Sequence, residues 1–158
     1  MARLQTLFAP ALALALLGCS PTDESAADIA VSNGWTREIA PGQSAAAIYL
    51  TIANRGEGGD RLITVAAAQG EATLHSSSSA DGVARMRPLA DGLKIPPRST
   101  VALKPRGTHI MLTGLKRPLR RGEAIGLTLS FERSRQRPIT IRVIEAGGEA
   151  HSGHGMAM

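Results

Sequence analysis

Four side chains in this sequence, His75, Met86, His109 and Met111, are of types that can act together on one metal ion. The run His109-Ile110-Met111-Leu112 alternates a nitrogen or sulfur donor with an aliphatic residue. In a strand, period two puts His109 and Met111 on one face and Ile110 and Leu112 on the other. The aliphatic pair then enters a core, and imidazole and thioether are left side by side at the surface or sheet end. His75 and Met86 flank one polar segment, so a hairpin would bring them together. Thioether sulfur is a soft, uncharged donor that suits Cu(I) and binds hard cations poorly, and imidazole is a good second donor. Two His and two Met therefore suit one copper(I) ion held without thiolate. With neutral ligands the ion keeps its positive charge, which favours release to a thiolate-rich acceptor. Singly, each residue has a plainer role: Met86 or Met111 as core filler, His75 as an exposed polar group. The combination points to metal.

A second set of donors closes the chain. His151, His154, Met156 and Met158 follow a Gly-rich stretch with no apolar pattern. Residues 147–158 are expected to be a disordered tail. Its imidazoles suit Cu(II) and its thioethers suit Cu(I), so a secondary metal site is expected there.

The other end reads as an address. Arg3 and the apolar run Leu4 to Leu17 have the form of a secretion signal, too short to span a bilayer. The run ends in Leu16-Leu17-Gly18-Cys19, which resembles the lipobox of bacterial lipoproteins. Residues 1–18 are then removed and Cys19 carries lipid. Ser20, rather than Asp, resembles the pattern for sorting to the outer membrane, facing the periplasm. Residues 19–28 form a small, polar tether. Cys19 is the only cysteine, so no disulfide braces the domain.

Residues 29–146 must therefore position the donors through a core of their own. Of the 158 residues, 43% are apolar but only 3% aromatic, so that core is built from Val, Ile, Leu and Ala. Short β-branched runs separated by turn signals predict roughly eight or nine strands, an all-β Greek-key sandwich or barrel. Ile48, Leu50 and Ile52 alternate in one of them. Ile29–Ser32 reads as a short first strand, Trp35 beyond the Asn33-Gly34 turn as a core anchor, and Ser76–Gly82 as a polar loop. The net charge of +5 comes from scattered arginines with few aromatics to stack bases, which argues against nucleic acid. No Ser/His/Asp order, carboxylate pair or His-x-x-x-His suggests an enzyme. A blue-copper centre needs a Cys thiolate that the domain lacks.

The whole pattern resembles the PCuAC family of periplasmic copper chaperones. His75, ten residues, Met86, twenty-two residues and His109-x-Met111 look like that family's signature. Asp81-Gly82-Val83, Met86-Arg87, Leu103-Lys104-Pro105, Gly114-Leu115, Ala40-Pro41-Gly42-Gln43, Tyr49-Leu50-Thr51 and Leu127-Thr128-Leu129 are similar too, over Ile29 to Ile144. Two features depart from it. The family often has a Met just after the first His, where Ser76 and Ser77 stand here, and its second spacer is commonly one residue shorter. The resemblance implies a cupredoxin-like domain that binds Cu(I) through His75, Met86, His109 and Met111, and the chain is expected to be a monomer. It also implies delivery toward the CuA centre of cytochrome c oxidase, often alongside Sco-type thiol proteins. Copper sequestration for tolerance would use the same ligands, and a metal-free envelope module would bind none.

Overall fold

Alternation in the sequence becomes alternation in burial. The computed structural model describes residues 26–80 and 83–147. The described residues form ten strands and no helix: β1 Ile29–Arg37, β2 Ala46–Asn54, β3 Asp60–Ala67, β4 Glu71–Ala80, β5 Val83–Pro88, β6 Leu93–Ile95, β7 Ser99–Leu103, β8 Thr108–Thr113, β9 Ala124–Phe131 and β10 Arg137–Ile144. Along β2, Ile48, Leu50 and Ile52 are buried, while Ala47, Tyr49 and Thr51 between them stay half-exposed. In β8, Ile110 and Leu112 are wholly buried. Each such aliphatic side chain contributes about 1.5–3 kcal/mol when withdrawn from water. Phe131 is the only aromatic among the buried core residues described. The rest of the core is aliphatic, as the composition requires.

The strands run in the order β5-β4-β8-β2-β1-β10-β9-β3-β6, with β7 also paired to β2 beyond β8. Only β1 and β10 pair in parallel. The path doubles over, so that β3 lies against β4 and β6 beside β7. The result is the expected all-β, cupredoxin-like Greek-key fold. Two buried polar side chains clamp its connections. Asn54 Oδ1 accepts from the Asp28 and Gly56 amides at 3.1 and 3.0 Å, and its Nδ2 donates to the Gly58 and Pro96 carbonyls at 2.8 and 3.0 Å. The Asp60 carboxylate accepts from the amides of Arg61, Arg133 and Ser134 at 2.7, 3.0 and 3.0 Å. It joins the start of β3 to the turn after β9.

Three local expectations are corrected. Ser76 to Ser79 are strand, because β4 continues through them and pairs with β5 from His75↔Pro88 to Ala80↔Val83. The ladder to β5 supplies their backbone hydrogen bonds, which outweighs the weak strand preference of serine. The first strand does not stop at Ser32 but passes a bulge to Arg37, with Asn33 at φ 52°. A Cβ at Gly34, inside that bulge, would lie 2.5 Å from Ile141 Cγ2, so only glycine fits this approach. Trp35 is consequently not a core anchor. The bulge sets it opposite Tyr49, half-exposed, with ring centroids 4.5 Å apart. The short strand β6, Leu93–Ile95, precedes Pro96-Pro97.

The expectations for residues 1–18, for Cys19, and for His151, His154, Met156 and Met158 lie outside the described residues.

Candidate metal centre

The register of four strands decides where the donors stand. His75 is the direct partner of His109 across β4 and β8, Thr73 is the partner of Met111, and Ser77 is the partner of Met86 across β4 and β5. Met111 is also opposite Ala47 of β2. Directly paired residues share a face, as do residues two apart. His75, Met86, His109 and Met111 therefore all stand on one face of the sheet. Tyr49 and Trp35 continue that face over β2 and β1. The opposite face carries Leu74, Ile110 and Leu112 into the core.

The two imidazoles form the centre of the group. Their ring centroids are 6.2 Å apart and their planes 25° from parallel. Tyr49 stands on the far side of His109, 6.3 Å between centroids, and His109 is only 4% exposed. His109 Nδ1 is 2.9 Å from the Gly107 carbonyl oxygen. A carbonyl only accepts, so Nδ1 carries the proton and Nε2 keeps a free lone pair. The same carbonyl accepts the Ser77 amide at 3.2 Å, which ties the turn before β8 to β4. His75 Nε2 is 2.9 Å from Thr73 Oγ1, whereas its Nδ1 is buried and has no hydrogen-bond partner among the described residues. A buried, unpartnered ring nitrogen beside a second imidazole with a free lone pair is the arrangement a soft ion would complete.

The methionines differ in position. Met111 is half-buried, one row from the His pair. Residues two apart on a strand are separated by about 7 Å, within side-chain reach of a common ion. Met86 is 49% exposed on the edge strand β5. It is diagonal to His75, about 7–8 Å away by strand geometry, and lies on the other side of the His pair from Met111. The structure thus gathers His75, His109 and Met111 closely and keeps Met86 on the same face, one row out. Among the described residues no three His, Cys, Asp or Glu side chains gather; the sulfur-bearing side chains on this face are Met86 and Met111.

Three residues of this neighbourhood escaped the sequence reading. Thr73 is two residues before His75, so period two puts it on the same face of any strand that contains both. Tyr49 alternates with the aliphatics of β2 in the same way. The Gly107 carbonyl, a backbone group brought in by the turn, left no signal in the sequence.

Comparison with known proteins agrees with this architecture. The family model of LpqE-like lipoproteins matches residues 29–143. A protein of Leifsonia xyli subsp. xyli (strain CTCB07) that is named as a lipoprotein is 34% identical over 149 residues, covering 87% of each chain. Among solved structures, the copper-bound PCuAC domain from PmoF2 is 26% identical with a TM-score of 0.62, covering 74% of this chain and 92% of that one. DR1885 from Deinococcus radiodurans is similar in two solution structures. Its apo form is 26% identical with a TM-score of 0.57, covering 92% and 97% of the two chains. Its CuI form is 28% identical with a TM-score of 0.58, covering 75% and 77%. With a family match across the domain and solved relatives of the same architecture, this chain belongs to the LpqE-like lipoprotein family, whose domain is of the PCuAC type.

Proposed function

We propose that this protein is a lipid-anchored copper chaperone of the bacterial envelope, facing the periplasm from the outer membrane. It binds one Cu(I) ion through His75, Met86, His109 and Met111. The observation that carries the reading is the His75–His109 pair on an outward face, with the buried His75 Nδ1 unpartnered and Met111 one row away. Copper-bound forms of similar PCuAC domains support copper as the cargo. Soft neutral donors favour Cu(I) over Cu(II) and over hard cations. The exposure of Met86 suits transfer: a ligand at the edge exchanges first, while the imidazoles stay held. The acceptor in this reading is the CuA subunit of cytochrome c oxidase or a Sco-type thiol protein, whose thiolates offer a stronger soft site. Residues 151–158 add a weaker site that takes Cu(II) or Cu(I). The chain acts as a monomer and performs no catalysis.

Anaerobic Cu(I) titration of the domain lacking residues 149–158 tests the proposal. One tight ion is expected, with X-ray absorption reporting both nitrogen and sulfur, and Cu–N near ~2.0 Å. No tight Cu(I) binding by the trimmed domain would sink it. Transfer to apo-acceptors then separates delivery from sequestration: an ion that never leaves marks a tolerance protein.

A further inference from the structure

We propose that Thr73 is a positioning residue for copper: it fixes the His75 imidazole so that Nδ1, and not Nε2, is the nitrogen presented to the ion. This rests on the copper reading above and goes beyond it, to which atom binds and what holds it. Thr73 Oγ1 is 2.9 Å from His75 Nε2. The two residues are two apart on β4 and share its outer face. Thr73 is also the direct partner of Met111 on β8. It therefore occupies the fourth corner of a block whose other corners are His75, His109 and Met111. As a β-branched residue it has few χ1 choices, so its hydroxyl is held rather than swinging.

The tautomer follows from what is buried. A threonine hydroxyl both donates and accepts, so Oγ1 alone leaves the choice open. The other ring nitrogen decides it. His75 Nδ1 is buried without a partner among the described residues. A buried N–H with nothing to receive it is rarer and costlier than a buried lone pair. The proton therefore sits on Nε2 and is donated to Thr73, and Nδ1 carries the lone pair. His109 has the opposite arrangement, with Nδ1–H on the Gly107 carbonyl and Nε2 free. Each imidazole thus has its non-ligating N–H anchored on an oxygen, one from a side chain and one from the backbone. Anchored N–H groups of this kind orient metal-binding histidines and set their basicity.

The test uses the full chain, copper-free and copper-loaded. Long-range ¹H–¹⁵N spectra of the copper-free protein, taken where both rings are neutral, should show His75 as the Nε2–H tautomer and His109 as Nδ1–H. Thr73→Ser keeps the hydroxyl and should preserve both the tautomer and Cu(I) affinity in a competition assay. Thr73→Val keeps the branched shape but not the hydroxyl. It should give His75 a mixture of tautomers and weaken Cu(I) binding about 10- to 100-fold, the usual effect of losing such a partner. A His75 that is Nδ1–H in the parent overturns the proposal, as does a folded Thr73→Val protein that binds Cu(I) as tightly as the parent. Should the valine variant fail to fold, the parent tautomer and the serine variant still decide. Failure of the parent to bind Cu(I) would reject the copper reading, yet the copper-free spectra would still judge the role of Thr73.

Discussion

At the scale of single residues, the strongest contrast is between a methionine that packs and one that binds. Met111 is half-buried beside Ala47 and Thr73, and Met86 is half out in solvent. Met111→Leu conserves volume, so it should cost less than about 1.5 kcal/mol of stability. Met86→Leu at the surface should change stability by no more than about 0.5 kcal/mol. As ligands, both should lose Cu(I) affinity in a fold that melts nearly as before. His109→Ala should weaken binding further, since a nitrogen donor and its anchored orientation go together. Competition with a Cu(I) chelator, in protein lacking the tail, measures all three; parental affinity in every variant would remove the four-residue site. Trp35 offers an independent readout. It is the single tryptophan, packed at a tilt against Tyr49, whose ring centroid in turn stands 6.3 Å from that of His109. Copper loading should change its emission with a one-to-one endpoint, and His109→Ala should suppress the change. An emission indifferent to stoichiometric Cu(I) would mean that the ion binds elsewhere.

At the scale of elements, the site is only as ordered as the ladder under it. β4 carries His75 and pairs with β8 on one side and β5 on the other, so both imidazoles and both sulfurs depend on two registers. A slip of one residue would turn the donors into the core. The polar clamps that hold the sheet path make a prediction of their own. Burial works against ionisation of Asp60, but the Ser134 side chain and the amides of Arg61, Arg133 and Ser134 overcome it, so its pKa falls below the ordinary 3.8. A carboxyl depressed in the folded state adds stability above the unfolded value. That contribution is lost as pH falls through the lowered one. Asp60→Asn keeps the shape but turns an NH₂ toward an amide N–H. It should destabilise the fold by about 1–3 kcal/mol near neutral pH and flatten the acid limb of the stability curve. Urea unfolding across a pH series checks this; parallel curves for parent and variant would show that Asp60 carries no such role.

At the scale of the whole molecule, the question is how the domain is held and supplied. The family to which the chain belongs is one of lipoproteins. Cys19→Ser should abolish fatty-acid labelling and release the protein from the membrane fraction, without altering Cu(I) stoichiometry in the domain. Unchanged labelling would rule out Cys19 as the anchor. Truncation after Gly148 should remove the weak Cu(II)-type binding and leave the tight Cu(I) ion, as read by titration under air and under nitrogen. Loss of all Cu(I) binding would make the tail the principal site.

Much of this was legible in the chain itself. The period-two runs of β2 and β8 determined which side chains face inward, because a strand must alternate. The low aromatic content determined an aliphatic core. The types of the four donors determined a soft-metal reading, because ligand preference belongs to the atom and not to the fold. Other features depended on partners distant in sequence. Ser76–Ser79 became strand because β5 pairs with all four and β8 with Ser76, and Trp35 left the core because a bulge in β1 turned it toward Tyr49. The order β5-β4-β8-β2 brought His75 opposite His109, far along the chain, and placed Met86 one row farther out. Thr73 and the Gly107 carbonyl lie only two residues from the imidazoles they meet, but a hydrogen bond to a ring nitrogen is set by geometry that composition does not contain. Local spacing chooses faces; only the pairing of distant strands chooses neighbours, and a metal site is made of neighbours.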